Sequence, residues 1–156
     1  MTTQLPHHLS DRAVPWYVAG LAFECAQCGR CCAGPKQGFV WLNQGNVRSI
    51  AAHLNLPLQD VMERYVRRVD GQLSLREEPV NRDCVFLSGS ADGCRGCRVY
   101  DVRPAQCRTW PFWDANLTDP ASWAVAGFRC QGINRGAMFT FEQIERRRKA
   151  THARSR

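Results

Sequence analysis

The sequence predicts a small, irregular α+β domain in which two or three helices pack beside short strands. Three observations predict it. Apolar residues recur at helical spacing in only a few stretches. Glycine and proline cut most of the remainder into pieces too short for a large sheet, and nine cysteines crowd into separated segments. The 156 residues make one domain's worth of chain, and an apolar content of 44% with five tryptophans and seven phenylalanines supports a packed core.

The elements follow in order. Residues 1–22 form a polar lead-in ending in the aromatic-apolar piece PWYVAGLA, and FECAQCGRCC (Phe23–Cys32) then sets four thiols into eight positions. In AGPKQGFVWL, Gly34-Pro35 and Gly38 mark turns, and Phe39 to Leu42 reads as a strand. Residues 46–69 read as helical. Asn46 is placed as the cap of VRSIAAHL, with Val47, Ile50, Ala51 and Leu54 on one face. Pro57 suits the first turn of LQDVMERYVRR, whose apolar stripe is Leu58, Val61, Met62 and Tyr65. The spacing is also that of a helix-turn-helix. The second helix, however, offers an apolar stripe and little outward polar variety for base edges, which favours an αα-hairpin packed over the cysteine region.

GQLSLREEPV reads as an extended segment after the Asp70-Gly71 turn. Residues 84–113 hold a second cysteine group among short strands: CVFL, the glycine-rich GSADGCRGC, then RVYDVRPAQCRTWPFW, where Pro104 and Pro111 exclude a regular strand. WAVAGFRC leads to the last cysteine, Cys130, and a helix is expected from about Thr140 through Lys149. Three regions result: a lead-in over 1–22, a single cysteine-cluster domain over 23–150 and a basic tail over 151–156, the tail read as a solvated end.

No apolar run approaches the ~20 residues needed to span a bilayer, which excludes a transmembrane helix. MTTQLPHHLSDR lacks the basic start and continuous apolar segment of a secretory signal, and THARSR carries no prenylation signature. A cytoplasmic, reducing location is therefore expected. There nine cysteines read as metal ligands or redox groups before disulfides, and the odd count leaves one thiol over in any all-disulfide scheme. The net charge of +7 invites a nucleic-acid partner. Eight thiolates on two divalent zinc ions would lower it to about +3, so much of the basicity can compensate a negative site, and nucleic acid is not the expected partner.

Cys25, Cys28 and Cys31 recur every three residues, a spacing that lets a tight turn aim successive sulfurs at one centre. Cys32 stands next to Cys31, and in an extended or turn backbone neighbouring side chains diverge. The pair therefore suggests two metal centres, or one larger cluster, around a shared loop. Two four-thiolate centres need eight of the nine cysteines. By spacing alone Cys94 and Cys97 form a further CxxC, so both look like ligands. The histidines, His7, His8, His53 and His152, have no metal-like spacing, and His53 reads as structural. No phosphate-binding glycine loop, GxSxG or HExxH is present, so no catalytic motif is identified.

FECAQCGRCC, CVFL, CRVYDVRPAQCRTWPFW and CQGI occur here in that order. This combination resembles the CxxCxxCC cysteine-cluster family (the YkgJ family), whose members are described as zinc- or iron-chelating and often as iron–sulfur-cluster proteins. The resemblance runs from about Phe23 to the C-terminal helix. It implies metal ligands at Cys25, Cys28, Cys31, Cys32, Cys84, Cys97, Cys107 and Cys130, leaving Cys94 outside in the glycine-rich loop. Many relatives have proline after the late cysteine where Gln131 stands here. The implied cofactor is an iron–sulfur cluster or iron, with zinc as the alternative, since four thiolates suit either. The matching roles are an electron-transfer or oxidoreductase component with an unknown protein or redox partner, or a zinc-built interaction module. A metal-handling or thiol-redox protein is a third.

Arginines accompany the cysteines throughout: Arg103 and Arg108 flank Cys107, while Arg30, Arg98 and Arg129 each adjoin another cysteine. They are expected either to donate hydrogen bonds to thiolates and nearby carbonyls or to pair with Asp101 or Glu24. Trp110, Phe112 and Trp113 are expected to shield the site or fill the core, ahead of forming a stacking platform for bases.

Overall fold

Two hydrophobic clusters organise the chain, and each is built by elements that flank cysteines. The coordinates are a computed structural model, in which residues 13–89 and 95–152 are described. Cys94, His7 and His8 lie outside the described residues.

The first cluster is built by a helical hairpin and a small sheet. Helix α1 (Gln44–Leu54) begins at Asn43, whose side chain accepts from the Asn46 N–H while Asn46 Oδ1 accepts from the Asn43 N–H. The cap is thus Asn43 and not Asn46: the reciprocal pair satisfies two N–H groups that the helix start leaves without partners. Val47, Ile50 and Ala51 are buried, as their spacing predicts. Helix α2 (Leu58–Tyr65) starts after Pro57 and buries Val61.

It ends sooner than its pattern suggests. Val66–Val69 forms strand β3, which pairs antiparallel with β4 (Gln72–Leu75) across the Asp70-Gly71 turn. Both turn residues have positive φ, as a two-residue hairpin of this hand requires. Strand β2 (Trp41–Leu42) completes the order β2-β4-β3. Phe86 and Val99 join this core, and Cys84 and Cys97 pack against it. The αα-hairpin reading of residues 46–69 holds for α1 and α2, with the last turn given over to the sheet.

The second cluster gathers Tyr17, Leu21, Phe112, Leu117, Trp123, Ala126, Ile133 and Ile144, with Cys130 and Phe23 packed against it. Strand β1 (Leu21–Phe23) pairs with the late strand β7 (Ile133–Phe139), and β5 (Leu87–Gly89) pairs with β6 (Arg95–Cys97). Short helices α3 (Ala105–Thr109) and α4 (Asp114–Leu117) follow, then α5 (Pro120–Arg129) and α6 (Phe141–His152).

Helix α5 has no counterpart among the predicted elements. It carries the signals of one: Asp119 caps it by accepting from the Ser122 N–H at 2.6 Å, with Pro120 in the first turn. CVFL is not a strand; Cys84 makes an isolated bridge to Glu77, and β5 begins only at Leu87. The fold is the mixed α+β class expected, with one more substantial helix. Within the lead-in, Trp16 donates to the Leu117 carbonyl and Tyr17 to Glu145, so this stretch is part of the second core. At the other end, Thr151 bonds Thr109 at 2.6 Å and ties α6 to the short helix that carries Cys107.

Candidate metal centre

The four thiols of the first segment are arranged by one turn. Gly29 sits at φ +70, a conformation that side-chain-bearing residues rarely adopt, and it starts a 3₁₀ turn over Arg30–Cys32. A turn of about three residues sets adjacent side chains roughly 120° apart rather than on opposite sides. The Cys31 and Cys32 sulfurs consequently lie 3.8 Å apart. That is about the edge of a sulfur tetrahedron around an ion at ~2.3 Å. The divergence expected of this pair is not observed: the two neighbours can serve one centre.

The other segments are tied to this turn by backbone contacts. The Cys84 N–H donates to the Cys32 carbonyl at 2.8 Å, and the Glu24 N–H to the Gly132 carbonyl at 3.1 Å, which brings in the region around Cys130. Cys97 stands opposite Leu87 in the β5–β6 pair. Cys107 lies in α3, whose Gln106 donates to the Phe39 carbonyl and accepts from the Trp41 N–H.

Asp83 joins three of the segments. It accepts from the Gly34 N–H at 2.9 Å, from Asn81 at 2.8 Å and from Arg95, two residues before Cys97. The Gly34 N–H, first among these partners, holds its carboxyl below the usual range. Removing a buried acceptor strands its donors. Asp83→Ala is expected to cost about 1–3 kcal/mol in urea unfolding, and to reduce metal retention with it. An unchanged midpoint would show that Asp83 is not such a junction.

As a result Cys25, Cys28, Cys31, Cys32, Cys84, Cys97, Cys107 and Cys130 all border one cavity of about 90 Å³. All eight are free thiols; Cys25 and Cys31 are exposed and the other six half-buried. Among the described residues, no three His, Cys, Asp or Glu side chains already stand around a single ion position. The sulfurs ring a space and do not converge on a point.

Burial pushes the Cys84 thiol up to about 11 and raises Cys97 and Cys107 as well; the hydrogen bond with Cys32, followed by burial, raises Cys31. The thiols also oppose one another's ionisation, while Arg103 favours the thiolate at Cys31, Cys97 and Cys107. Without metal the cavity therefore holds protons.

Two consequences follow, of opposite sign. In the metal-free protein a raised folded pKa gives stability that is complete below the ordinary thiol value of about 9 and fades as pH climbs toward 11. Metal displaces the same protons, so uptake strengthens as pH rises. Urea midpoints of metal-free protein are expected to fall between about pH 9 and 11. A flat profile over that window would contradict the burial of these thiols.

Of the five arginines, Arg103 and Arg129 border the cavity; Arg30, Arg98 and Arg108 do not. Arg103 places its guanidinium 3.7 Å from the Tyr100 ring centre and donates from Nε to the Tyr100 carbonyl at 2.8 Å. Arg129 donates to the Ala33 carbonyl at 2.5 Å and to the Arg30 carbonyl at 3.4 Å, holding the two ends of the 3₁₀ turn. Neither these nor the other arginines pair with Asp101 or Glu24 among the described residues.

Trp110 and Trp113 border the cavity, whereas Phe112 is fully buried in the second core. Among the described residues the buried Trp110 Nε1 has no hydrogen-bond partner, while Trp113 donates to the Gln106 carbonyl. His53 bonds the Arg98 carbonyl at 3.1 Å, away from the cavity, which suits its structural reading. Sequence reasoning assigned no role to Tyr100. It borders the cavity, and the Cys25 thiol beside its hydroxyl, followed by burial, pushes that hydroxyl's pKa up. The available signal was position: Tyr100 follows Cys97 by one turn.

Fold and site together define a cysteine-lined α+β domain with a soft-metal donor set. Residues 24–132 match the CxxCxxCC family, described as "Putative zinc- or iron-chelating domain", and the chain belongs to that family. It is 33% identical over 96 residues to Uncharacterized protein MJ0661 of Methanocaldococcus jannaschii, an alignment that covers 62% of this chain and 48% of that protein. The chain thus spans about half the length of that relative. No solved structure matches the chain. Among the described residues no helix is long and apolar enough to cross a membrane.

Proposed function

We propose that the eight thiols hold an iron–sulfur cluster or iron, and that the protein serves as an electron-transfer or oxidoreductase component. The observation that carries this reading is the single cavity that all eight border. Its volume of about 90 Å³ is several times the ~10–15 Å³ that one water-sized sphere occupies, more space than a lone four-coordinate ion leaves. The donors are all soft sulfur, which suits iron–sulfur ligation. The unpaired Trp110 N–H is a donor of the kind that hydrogen-bonds such sulfurs. A bound cluster would supply one-electron chemistry at a potential set by hydrogen bonds and solvent exposure. This chain's part would be to ligate through the eight cysteines, to offset their charge with Arg103 and to limit water with Trp110 and Trp113.

One observation favours zinc instead: the 3.8 Å between Cys31 and Cys32 suits two corners of a tetrahedral zinc site. Anaerobic purification followed by iron, zinc and acid-labile sulfide analysis separates the two readings. Iron with matching sulfide and visible charge-transfer absorption is expected. A colourless protein with about two zinc ions and no sulfide would replace the cluster with the zinc-built interaction module. Cys94→Ser is expected to keep the full metal content; its loss would place Cys94 among the ligands and one of the eight outside.

A further inference from the structure

A second chamber, of about 220 Å³, shares a wall with the cysteine cavity: Cys31, Cys32 and Cys84 border both. Its far side differs in kind. Lys36, Arg76, Arg82 and Arg129 border it against a single carboxylate, Glu77. That carboxylate already faces Arg67 at 3.6 Å and accepts from the Gly38 N–H, so the cations are left in excess.

Two of them are uncommitted. The side chains of Lys36 and Arg82 form no hydrogen bond or ion pair with another described residue, whereas those of Arg76 and Arg129 donate to backbone carbonyls. Packing places the free pair. Gly34 presses so closely on the 81–82 backbone that a Cβ there would collide with the Asn81 carbonyl, and that Cβ would stand 3.1 Å from the Arg82 Cβ. Arg82 is itself held at φ 61, a conformation that costs a side-chain-bearing residue energy. The junction that joins Cys84 to Cys32 thus also sets Arg82 over the segment leading to Lys36.

We infer that this chamber binds a small oxyanion, a carboxylate or phosphate compound, directly beside the Cys31, Cys32 and Cys84 wall. The chamber is below the ~300 Å³ at which drug-sized sites begin, which limits the ligand to a few heavy atoms beyond the charged group. Lys36 and Arg82 supply the charge-assisted hydrogen bonds, and Arg76 and Arg129 add to the field. The inference rests on the metal reading only for what lies across the shared wall; the anion's own contacts are to the cations. It extends the function from holding a metal to presenting a small acid next to it.

The competing role for these cations is to compensate thiolate charge, and the test separates the two. Protein as purified, with its metal content measured on the same sample, is titrated calorimetrically with inorganic phosphate and, separately, with succinate at constant ionic strength. Saturable one-site binding of at least one probe is expected, about tenfold or more weaker in the Lys36→Gln/Arg82→Gln double variant, which keeps the parent's metal content. Preference for phosphate or for succinate names the ligand class. Failure of both probes to saturate, or equal affinity in the double variant, overturns the inference. The metal content reports on the metal reading independently, so either can fail alone.

Discussion

Cys107→Ser is expected to lose most of the metal and, in the metal-loaded state, to melt about 5 °C or more below the parent, the shift that one to two kcal/mol gives a domain of this size. Cys107 lies on α3, which is bound to the Phe39–Trp41 segment through Gln106 and to α6 through Thr109 and Thr151. A metal held by Cys107 and by the Cys25–Cys32 turn would link those elements across about half the chain. Metal binding would then contribute directly to folding. The metal-free proteins isolate the cause. Once stripped of metal, parent and variant are expected to melt within a degree or two of each other, since serine nearly matches cysteine in size. A variant that melts with the loaded parent would remove the structural role; one that melts low even without metal would trace the defect to packing.

The second large effect is expected at Gly34→Ala, where one methyl group meets the Asn81 carbonyl with no room to enter. The obstacle is backbone, so relief requires the 81–84 segment to move away from the 32–34 segment. That movement would strain the Gly34–Asp83 bond and the Cys84–Cys32 bond together. A destabilisation of about 3 kcal/mol is expected, the upper part of the range for overpacking. Metal content is expected to fall with it, because the same shift pulls Cys84 from Cys31 and Cys32. Gly89→Ala is the control: nothing lies near a Cβ there, and metal content should not change. Wild-type metal content in Gly34→Ala would mean that the approach of these two segments does not shape the site.

Much of the fold was legible where local pattern and tertiary role agree. Val47, Ile50 and Ala51 followed the helical period into the core, and Asp70-Gly71 made the turn its residues demand. The misses share a physical reason. Val66–Val69 continues a helical stripe in sequence, yet pairing with Gln72–Leu75 gives its backbone better partners than another turn of α2 would. Strands β1 and β7 are distant in sequence, and β7 is exposed at five of its seven residues, so neither carries an apolar alternation to betray the pairing.

At the site, the cysteines were legible as a set because sulfur is sparing in sequence and their spacing is regular. Their mutual geometry was not, since it depends on backbone conformation. The 3₁₀ turn that brings Cys31 and Cys32 to 3.8 Å is a matter of φ and ψ, and extended-chain reasoning sent them apart. Likewise, of the five arginines that adjoin or flank cysteines in sequence, only Arg103 and Arg129 reach the cavity. Adjacency along the chain says little about direction in space.

X-ray absorption at the metal edge of the protein as isolated under anaerobic conditions reads the ligand atoms themselves. A first shell of sulfur alone is expected, at about 2.3 Å in the zinc case, with a further metal–metal contribution if a cluster is bound. A first shell containing nitrogen or oxygen, or a protein with no bound metal to measure, would contradict the assignment of the eight-cysteine cavity as the metal centre.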